Sequence, residues 1–324
     1  MSDVPPGLAG RPLRVAVVGV GHLGRHHARL LSDMPGVDLV AVVDIAPGRA
    51  AEIASQHGGE ALEDWRDVRG RVDAVTIAVP TESHADIAVG CIESGAAVLI
   101  EKPIASSVAD AERIVDAAAR RGVVCATGHS ERFNPAVVAA LPQIADPRFI
   151  EIHRLGVFPE RSLDVDVIFD LMIHDLDLLL ATVGSEVVGI EAVGVNVLTP
   201  RTDIANARLR FASGCIANLT ASRISRDRVR KARFFQRASY VSIDFAAREV
   251  EVYRLVPGEG RPSIEGGRLL VSDEEPLRRE LDDFVQAVRE NRAPAVTAAA
   301  GRDALTLATR VADAMSAGAA GAGH

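Results

Sequence analysis

Leu13-Arg14-Val15-Ala16-Val17-Val18 leads directly into Gly19-Val20-Gly21-His22-Leu23-Gly24, and this stretch decides the fold of the first part of the chain. The first six residues have the mostly apolar character of a strand that is buried on both faces. Gly19 permits a tight turn, and Gly24 lets the following helix pack closely on the sheet. A second apolar segment, Leu39 to Val43, ends on Asp44, twenty residues after Gly24. The arrangement predicts the start of a doubly wound parallel sheet.

A turn of this kind predicts a binding site for a dinucleotide. Gly21 lets a pyrophosphate approach the backbone, and the helix start offers N–H groups and a positive dipole end to it. Asp44 is placed to accept hydrogen bonds from the adenosine ribose. This favours NAD, because the negative charge of the Asp44 carboxylate would repel the 2′-phosphate of NADP. Arg49 could soften this preference, so NADP is possible. The predicted cofactor-binding residues here are Gly19, Gly21, His22, Leu23, Gly24, Asp44 and Arg49. The alternative is a glycine-rich turn in some other α/β domain.

Length and composition predict a cytoplasmic protein of two domains. The chain has 324 residues, 48% hydrophobic and 25% charged, with a net charge of −8 that argues against general nucleic-acid binding. Its three cysteines are widely separated and show no metal-ligand spacing, as expected of buried thiols in a reducing compartment. The N-terminus lacks the apolar region of a signal peptide, and no segment is long and apolar enough to span a bilayer.

The pattern of elements changes near Thr127. Before it, short apolar strands alternate with helices, which predicts a dinucleotide-binding Rossmann domain over residues 1–127, with 1–12 flexible. The predicted strands are Leu13–Val18, Leu39–Val43, Ala74–Val79, Val98–Ile100 and Val123–Ala126, and the predicted helices are His22–Met34, Pro47–His57, Ser83–Ser94 and Ser107–Arg120.

After Thr127, strands follow one another without helices between them, which predicts an antiparallel sheet in an α+β domain over residues 128–324. The predicted helices are Val165–Thr182, Pro276–Asn291 and Ala298–Ser316, and residues 316–324 are expected to be a disordered tail. The predicted strands are Val187–Val197, Ala205–Phe211, Cys215–Arg223, Ala232–Gln236, Tyr240–Asp244 and Glu249–Leu255.

Two segments at strand ends of the first domain are candidates for cofactor contact, because ligands bind at the carboxyl ends of such strands. In the turn Pro80 to His84, Pro80 fixes the backbone and Thr81 or Ser83 caps the next helix; for His84, a simple helix-start turn remains an alternative to cofactor contact. Glu101-Lys102-Pro103 follows the strand Val98–Ile100. A lysine there could polarise a hydroxyl or carbonyl during hydride transfer, or it could be an ordinary surface residue.

The helix candidate Val165–Thr182 carries a polar stripe. Asp170 and His174 stand four residues apart, with Asp177 three residues further, so an α-helix would place them on one face. A histidine held by a carboxylate is a good proton acceptor near neutral pH. General base, metal site and ordinary solvated charges are the alternatives that the spacing leaves open.

Two polar segments complete the candidates. Arg132 and Asn134 follow the last parallel strand and are expected near the mouth of the cleft, where they could bind substrate. The basic segment 223–233 carries six cationic residues and one acid, and it predicts either a solvated hairpin or a local anion site for a charged group of the substrate.

Taken together, these motifs resemble the glucose–fructose oxidoreductase / inositol dehydrogenase / MocA-like family of nicotinamide-dependent sugar oxidoreductases. The resemblance covers nearly the whole chain from Leu13 to Met315. It implies a Rossmann domain followed by a domain built on a large, mostly antiparallel sheet, whose open face commonly forms homodimers or homotetramers. It also implies that Lys102 and His174 act at the carbon being oxidised, with Asp170 beside them.

Several stretches look most like the UDP-N-acetylglucosamine 3-dehydrogenase branch of the family. They are 131–135, 169–175, 203–208 and the basic segment. This branch implies a sugar-nucleotide substrate whose 3-hydroxyl is oxidised, whereas an inositol or free-sugar dehydrogenase would share Lys102, Asp170 and His174. We expect no metal, nucleic-acid or membrane partner, in line with the charge, hydropathy and cysteine spacing of the chain.

A protein of another class, a dinucleotide-binding sensor without catalysis, would also keep the Rossmann domain. It would have no reason to keep a lysine at the strand end together with the acid–histidine pair in the second domain.

Overall fold

The computed structural model describes residues 10–158, 165–258 and 261–321. It separates into two units, residues 1–130 with 275–305, and residues 131–274 with 306–324. The predicted boundary at 127/128 lies close to the first division. The helix predicted at Pro276–Asn291, however, belongs with the first unit, whereas the sequence analysis assigned it to the second domain.

The first unit is a Rossmann domain. In its described residues, six parallel strands pair in the order β3-β2-β1-β4-β5-β6, the order of a doubly wound dinucleotide-binding sheet. The strands are β1 (Leu13–Val18), β2 (Val37–Val43), β3 (Glu60–Leu62), β4 (Ala74–Ile77), β5 (Ala97–Glu101) and β6 (Cys125–Gly128). The helices are α1 (Gly24–Ser32), α2 (Arg49–His57), α3 (His84–Glu93) and α4 (Val108–Arg121).

Two C-terminal helices follow later in the chain, α7 (Pro276–Glu290) and α8 (Ala298–Gly321). The apolar face of α7, which includes Leu281 and Phe284, joins the same buried core as β1 and α1. Covering apolar surface of the Rossmann sheet and its helices explains why α7 belongs to this unit.

The end of α8 differs from the expected tail. The helix continues to Gly321, through residues that were predicted to be disordered from Ser316. Alanine has the highest intrinsic helix propensity, so an alanine-rich segment can extend a helix that is already formed. Residues 1–9 of the predicted flexible start and 322–324 of the tail lie outside the described residues.

The second unit is built on a large, mostly antiparallel sheet. Within the described residues, eight strands pair in the order β14-β13-β12-β11-β7-β10-β9-β8, and only β7 and β10 run parallel. The strands are β7 (Phe149–Leu155), β8 (Val187–Val195), β9 (Ile204–Phe211), β10 (Ile216–Ser222), β11 (Val229–Phe235), β12 (Ser239–Asp244), β13 (Glu249–Val256) and β14 (Ser263–Arg268). The predicted fold class is confirmed, although β3, β7 and β14 were not predicted.

Helix α5 (Pro135–Ala140) packs against β12 and β13, and a π-helical turn, Ile168–Met172, leads into α6 (Ile173–Val183). Along β7 buried and half-buried residues alternate, so one face of the sheet is covered and the other is open. The covered face includes Ile150, Ile152 and Arg154, all of which are buried.

The three cysteines are free and buried, as the sequence predicts. Burial raises the pKa of the thiols of Cys91 and Cys125 to about 12. Because the thiolate is the reactive form, these two side chains act as small apolar core residues.

Candidate active site

The glycine-rich turn has the geometry that its sequence predicts. Gly19 adopts a φ of +84°, and a Cβ there would lie 2.6 Å from the carbonyl oxygen of Ala78. A Cβ on Gly24 would lie 1.7 Å from the carbonyl oxygen of Gly19, so α1 starts in direct contact with the turn. A Cβ on Gly21 would meet no atom within 4 Å. The turn is therefore closed on the protein side and open above Gly21.

The N-terminus of α1 is suited to an anion. Its N-cap residue, Leu23, makes no side-chain capping hydrogen bond, and the first turn holds no acidic residue. Leu23 and His22 are exposed, and the ring of His22 packs edge-on against that of His26 at 6.0 Å. N–H groups at a helix start without a side-chain cap, together with the helix dipole, favour a phosphate group.

Asp44 ties the glycine-rich turn to the end of β2. Its buried carboxylate accepts hydrogen bonds from the backbone N–H groups of Val20 (3.0 Å) and Ala46 (2.8 Å). The guanidinium of Arg49 lies 3.6 Å from the same carboxylate and is half exposed. A carboxylate can accept about four hydrogen bonds, so these contacts leave capacity for ribose hydroxyls.

These features fit a bound dinucleotide. The open space above Gly21 and the uncapped helix start suit the pyrophosphate, and Asp44 suits the adenosine ribose. Bound NAD would supply an acceptor for hydride, and the chain would supply its placement.

His84 connects two loops of the first unit. It is buried, and its ring nitrogens lie 2.9 Å from the carbonyl oxygens of Val79 and Pro103. Burial lowers the pKa of its imidazole, against the opposing effect of the two carbonyls. His84 therefore links the Pro80–Thr81 turn to the Lys102–Pro103 turn, and the cofactor contact predicted for it stays a prediction. The capping predicted for Ser83 is also absent, since its side chain makes no capping hydrogen bond to α3.

Glu101 likewise points into the first unit. Its carboxylate is buried, lies 3.0 Å from Nε2 of His27 on α1, and accepts a hydrogen bond from the backbone N–H of Lys102 at 3.2 Å. These contacts hold the strand end, and the cofactor contact predicted for Glu101 stays a prediction. Lys102 itself is partly buried, and the peptide bond between Lys102 and Pro103 is cis.

In the second unit, Asp170 and His174 lie across the junction of two helix types. Asp170 is in the π-turn Ile168–Met172 and His174 is in the first turn of α6; both side chains are partly exposed. The predicted continuous α-helix is interrupted here by a π-turn, whose wider winding changes which residues share a face. Asp166, four residues before Asp170, accepts a hydrogen bond from the N–H of Thr202 at 2.8 Å.

A buried ion cluster that was not predicted involves Asp175, the neighbour of His174 in the chain. Arg154 on β7 donates two hydrogen bonds from Nε and one from Nη2 to Asp175 (2.7–3.1 Å), and one to Glu131 at 3.2 Å. Burial acts to lower the pKa of Arg154, but the two carboxylates hold it above its ordinary value. The ring of Phe245 lies 5.4 Å from the guanidinium. This cluster fixes α6, and with it the backbone at His174, against the sheet.

Asn134 caps α5. Its Oδ1 accepts a hydrogen bond from the N–H of Ala136 at 3.0 Å, and its Nδ2 donates to the carbonyl of Phe245 at 3.2 Å. The side chain is buried and has a capping role, and the substrate contact predicted for Asn134 stays a prediction.

Asp177 and Arg132 form a second buried contact on α6. One carboxylate oxygen of Asp177 lies 3.6 Å from the guanidinium of Arg132, and Asp177 is almost fully buried. Burial raises the pKa of Asp177 to about 6, although Arg132 acts in the opposite direction.

We expect Asp177→Asn to stabilise the fold at pH 7.5. The folded chain holds the proton of Asp177 more tightly than the unfolded chain, whose pKa is near 3.8. Ionisation of Asp177 therefore lowers the free energy of unfolding by up to about 3 kcal/mol above pH 6, and this loss vanishes as the pH falls to about 4. Urea unfolding should give Asp177→Asn a higher free energy of unfolding than the wild type at pH 7.5, and the difference should disappear at pH 4. Asp227→Asn, at an exposed acid, is the matched control, and a gain for Asp177→Asn that is equal at both pH values would contradict this expectation.

Arg223, the first residue of the basic segment, is buried and serves the fold. Its guanidinium donates hydrogen bonds to the carbonyls of Val165 and Thr202 (2.9 Å for Thr202) and lies 3.5 Å from Asp203. Burial acts to raise the pKa of Asp203, but hydrogen bonds from residues 197–199 lower it to about 2. This pair holds the segment that leads into the π-turn.

Comparison with known proteins identifies the family. Residues 13–129 match the model of the oxidoreductase family with an NAD-binding Rossmann fold, and residues 144–238 match the GFO/IDH/MocA C-terminal domain. The chain is 36% identical to UDP-N-acetylglucosamine 3-dehydrogenase of Acidithiobacillus ferrooxidans over 92% of its length and 96% of the relative's. The chain belongs to the Gfo/Idh/MocA family.

Solved structures agree with this assignment. The structure of the Acidithiobacillus ferrooxidans enzyme superposes with a TM-score of 0.88, covering 94% of this chain and 98% of that one. A relative by sequence, the scyllo-inositol 2-dehydrogenase (NAD(+)) of Bacillus subtilis, is 29% identical over 66% of this chain and 68% of its own length. The solved structure of levoglucosan dehydrogenase in complex with NADH and levoglucosan shares the fold. It is 19% identical, with a TM-score of 0.85 over 94% of this chain and 98% of its own.

As a Gfo/Idh/MocA protein, the chain is an NAD-dependent oxidoreductase, and the predictions of family, cofactor and enzyme class are confirmed. In the described ranges, no group of three or more His, Cys, Asp or Glu side chains could hold a metal ion. Nor does any helix in the described part of the chain combine the length and apolar character needed to cross a membrane.

Proposed function

We propose that this protein oxidises the 3-hydroxyl of a UDP-N-acetylhexosamine to a ketone with NAD. The observation that carries the proposal is its 36% identity, over nearly the full length of both chains, to a UDP-N-acetylglucosamine 3-dehydrogenase. The inositol dehydrogenases that it resembles cover smaller shares of the chain, 54–66%.

In this proposal three side chains act at the reacting hydroxyl. An imidazole nitrogen of His174 accepts the hydroxyl proton, and Nζ of Lys102 donates a hydrogen bond to the same oxygen as it becomes a carbonyl. Asp170 orients the imidazole or the substrate. Bound NAD supplies the hydride acceptor.

A substrate panel tests the proposal. Purified protein with NAD is offered UDP-N-acetylglucosamine, UDP-N-acetylgalactosamine, myo-inositol, scyllo-inositol and glucose, and NADH formation is followed by absorbance. We expect the highest kcat/KM with a UDP-N-acetylhexosamine. A higher kcat/KM with an inositol would replace the proposal with the alternative of an inositol dehydrogenase.

We propose further that copies of the chain assemble through the open face of the eight-stranded sheet. A row of aromatic rings crosses four strands of this face, with centroids 5.2–6.4 Å apart, at Phe149, Phe235, Tyr240 and Tyr253. Exposed apolar residues in an extended patch favour association. Light scattering should give the mass of a dimer or tetramer, and Tyr253→Glu should lower it; a monomeric mass at micromolar concentration would contradict this proposal.

A further inference from the structure

Three of the six cations in the basic segment serve the fold. Arg223 is buried, as described above. Lys231 pairs with Asp244 at 3.1 Å, and Arg233 pairs with Glu151 at 3.6 Å, both on neighbouring strands of the sheet. Their charges are compensated within the second unit.

The other three cations, Arg226, Arg228 and Arg230, form no such close ion pair. All three are exposed, and no side-chain hydrogen bond or ion pair joins them to another residue of the described ranges. The backbone carbonyl of Arg230 accepts a hydrogen bond from the N–H of Phe245 at 2.9 Å. Asp227 is the one acid among them in sequence. Like charges this close repel each other, so a bound anion would be favoured here.

The register of the sheet places Arg230 on the covered face. In the antiparallel pairing of β11 with β7, Arg230 lies opposite Arg154, and Arg233 lies opposite Glu151. Because successive side chains alternate between faces, Arg230 shares the face of Arg154, which contacts α6, whereas Arg233 lies on the open face. The pKa of Arg230 is lowered by partial removal of its guanidinium from water and by the charges of Arg154 and Arg228, against the opposing effect of the carboxylates of Glu131 and Asp175.

The same edge of the sheet holds the start of the segment that bears Asp170. The ends of β7 and β10 are joined there by hydrogen bonds between Gly156 and Ser222 (2.8 Å) and between Ser225 and Gly156 (2.9 Å). The next residue of the loop is Arg226. Arg223 reaches from this edge to the carbonyl of Val165, which precedes the π-turn. The three exposed arginines and the beginning of the proposed catalytic segment therefore lie at one edge of one unit.

We infer that this edge binds the diphosphate of a sugar nucleotide, with Arg228 and Arg230 as its ligands. The inference rests on the proposed function and deepens it by giving the anionic part of the substrate a site. Planar guanidinium groups match phosphate oxygens in pairs and keep their charge at any physiological pH. Inositols and free hexoses carry no charge that these side chains could compensate.

The test compares Arg228→Gln, Arg230→Gln and the double variant with Arg233→Gln. Arg233→Gln removes the same charge from the same strand, but from the open face. Calorimetry with UDP as the probe gives Kd, and turnover of UDP-N-acetylglucosamine gives KM and kcat. Each substitution at 228 or 230 should raise both Kd and KM about tenfold or more, with kcat and the Kd of NADH unchanged. Arg233→Gln should change none of these constants. Arg230→Lys should lose less affinity for UDP than Arg230→Gln, because it keeps the positive charge.

The outcomes separate the site from the function. Unchanged UDP affinity in the double variant would overturn the site, even if the wild-type protein oxidises UDP-N-acetylglucosamine. If the wild type binds UDP through these arginines but oxidises no UDP-sugar, the site stands and the proposed function fails. A loss of affinity equal to that of Arg233→Gln would reveal only a general charge effect and would also overturn the site.

Discussion

His174→Ala is expected to lower kcat by about 10²–10⁴, because the variant has no side chain to accept the hydroxyl proton. The binding of NADH should be unchanged, since the glycine-rich turn, the start of α1 and Asp44 lie in the other unit. Steady-state turnover with the best substrate of the panel, together with NADH titration, measures both quantities.

Two further measurements distinguish a lost base from a damaged fold. Added imidazole should restore part of the turnover of His174→Ala, because a small base can enter the space of the missing ring. His57→Ala, which removes a histidine from the end of α2, should leave kcat unchanged. Turnover of His174→Ala near that of the wild type would remove His174 as the base.

The first unit was largely predictable because its signals are local. The strand before Gly19, the turn and Asp44 lie within 32 residues, and each has a physical role that the sequence shows directly. Strand β3 was missed because it has three residues, which are too few to show a pattern. The return of α7 to this unit depends on a long-range contact that the order of elements does not specify.

The second unit was less predictable at the level of side chains. Strand β7 inserts between β10 and β11, and its alternating pattern includes a buried arginine, which sequence rules place on the surface. The partners in space, Asp175 and Glu131, explain the burial of Arg154. The π-turn also has no sequence signal, so the relative placement of Asp170 and His174 could not be derived from α-helical spacing.

The contacts of His84, Glu101 and Asn134 could not be predicted from the sequence either. Each stands next to a segment that the sequence marks for function, and each side chain is committed to neighbouring groups of its own unit. Proximity in sequence to a ligand-binding segment therefore does not separate the residues that contact a ligand from those that position the loops.

Arg154→Met is expected to lower the free energy of unfolding by about 3–5 kcal/mol, because it leaves Asp175 buried without its counter-charge. Asp175 and Arg154 are both almost fully buried, so water cannot replace the lost contact. Burial already raises the pKa of Asp175 in the presence of Arg154, and without Arg154 this pKa should rise further. The stability deficit should therefore be largest at neutral pH and shrink as the pH falls and the carboxylate takes up a proton.

Urea unfolding of three variants at pH 7.5 and pH 5 tests this account. Arg233→Met is the matched control, since Arg233 is an exposed arginine on the adjacent strand whose ion pair with Glu151 should contribute less than about 1 kcal/mol. The double variant Arg154→Met/Asp175→Leu removes both charges and should recover most of the stability lost by Arg154→Met. A deficit for Arg154→Met no larger than that of Arg233→Met, or one that is independent of pH, would show that the cluster does not anchor α6 through its charges.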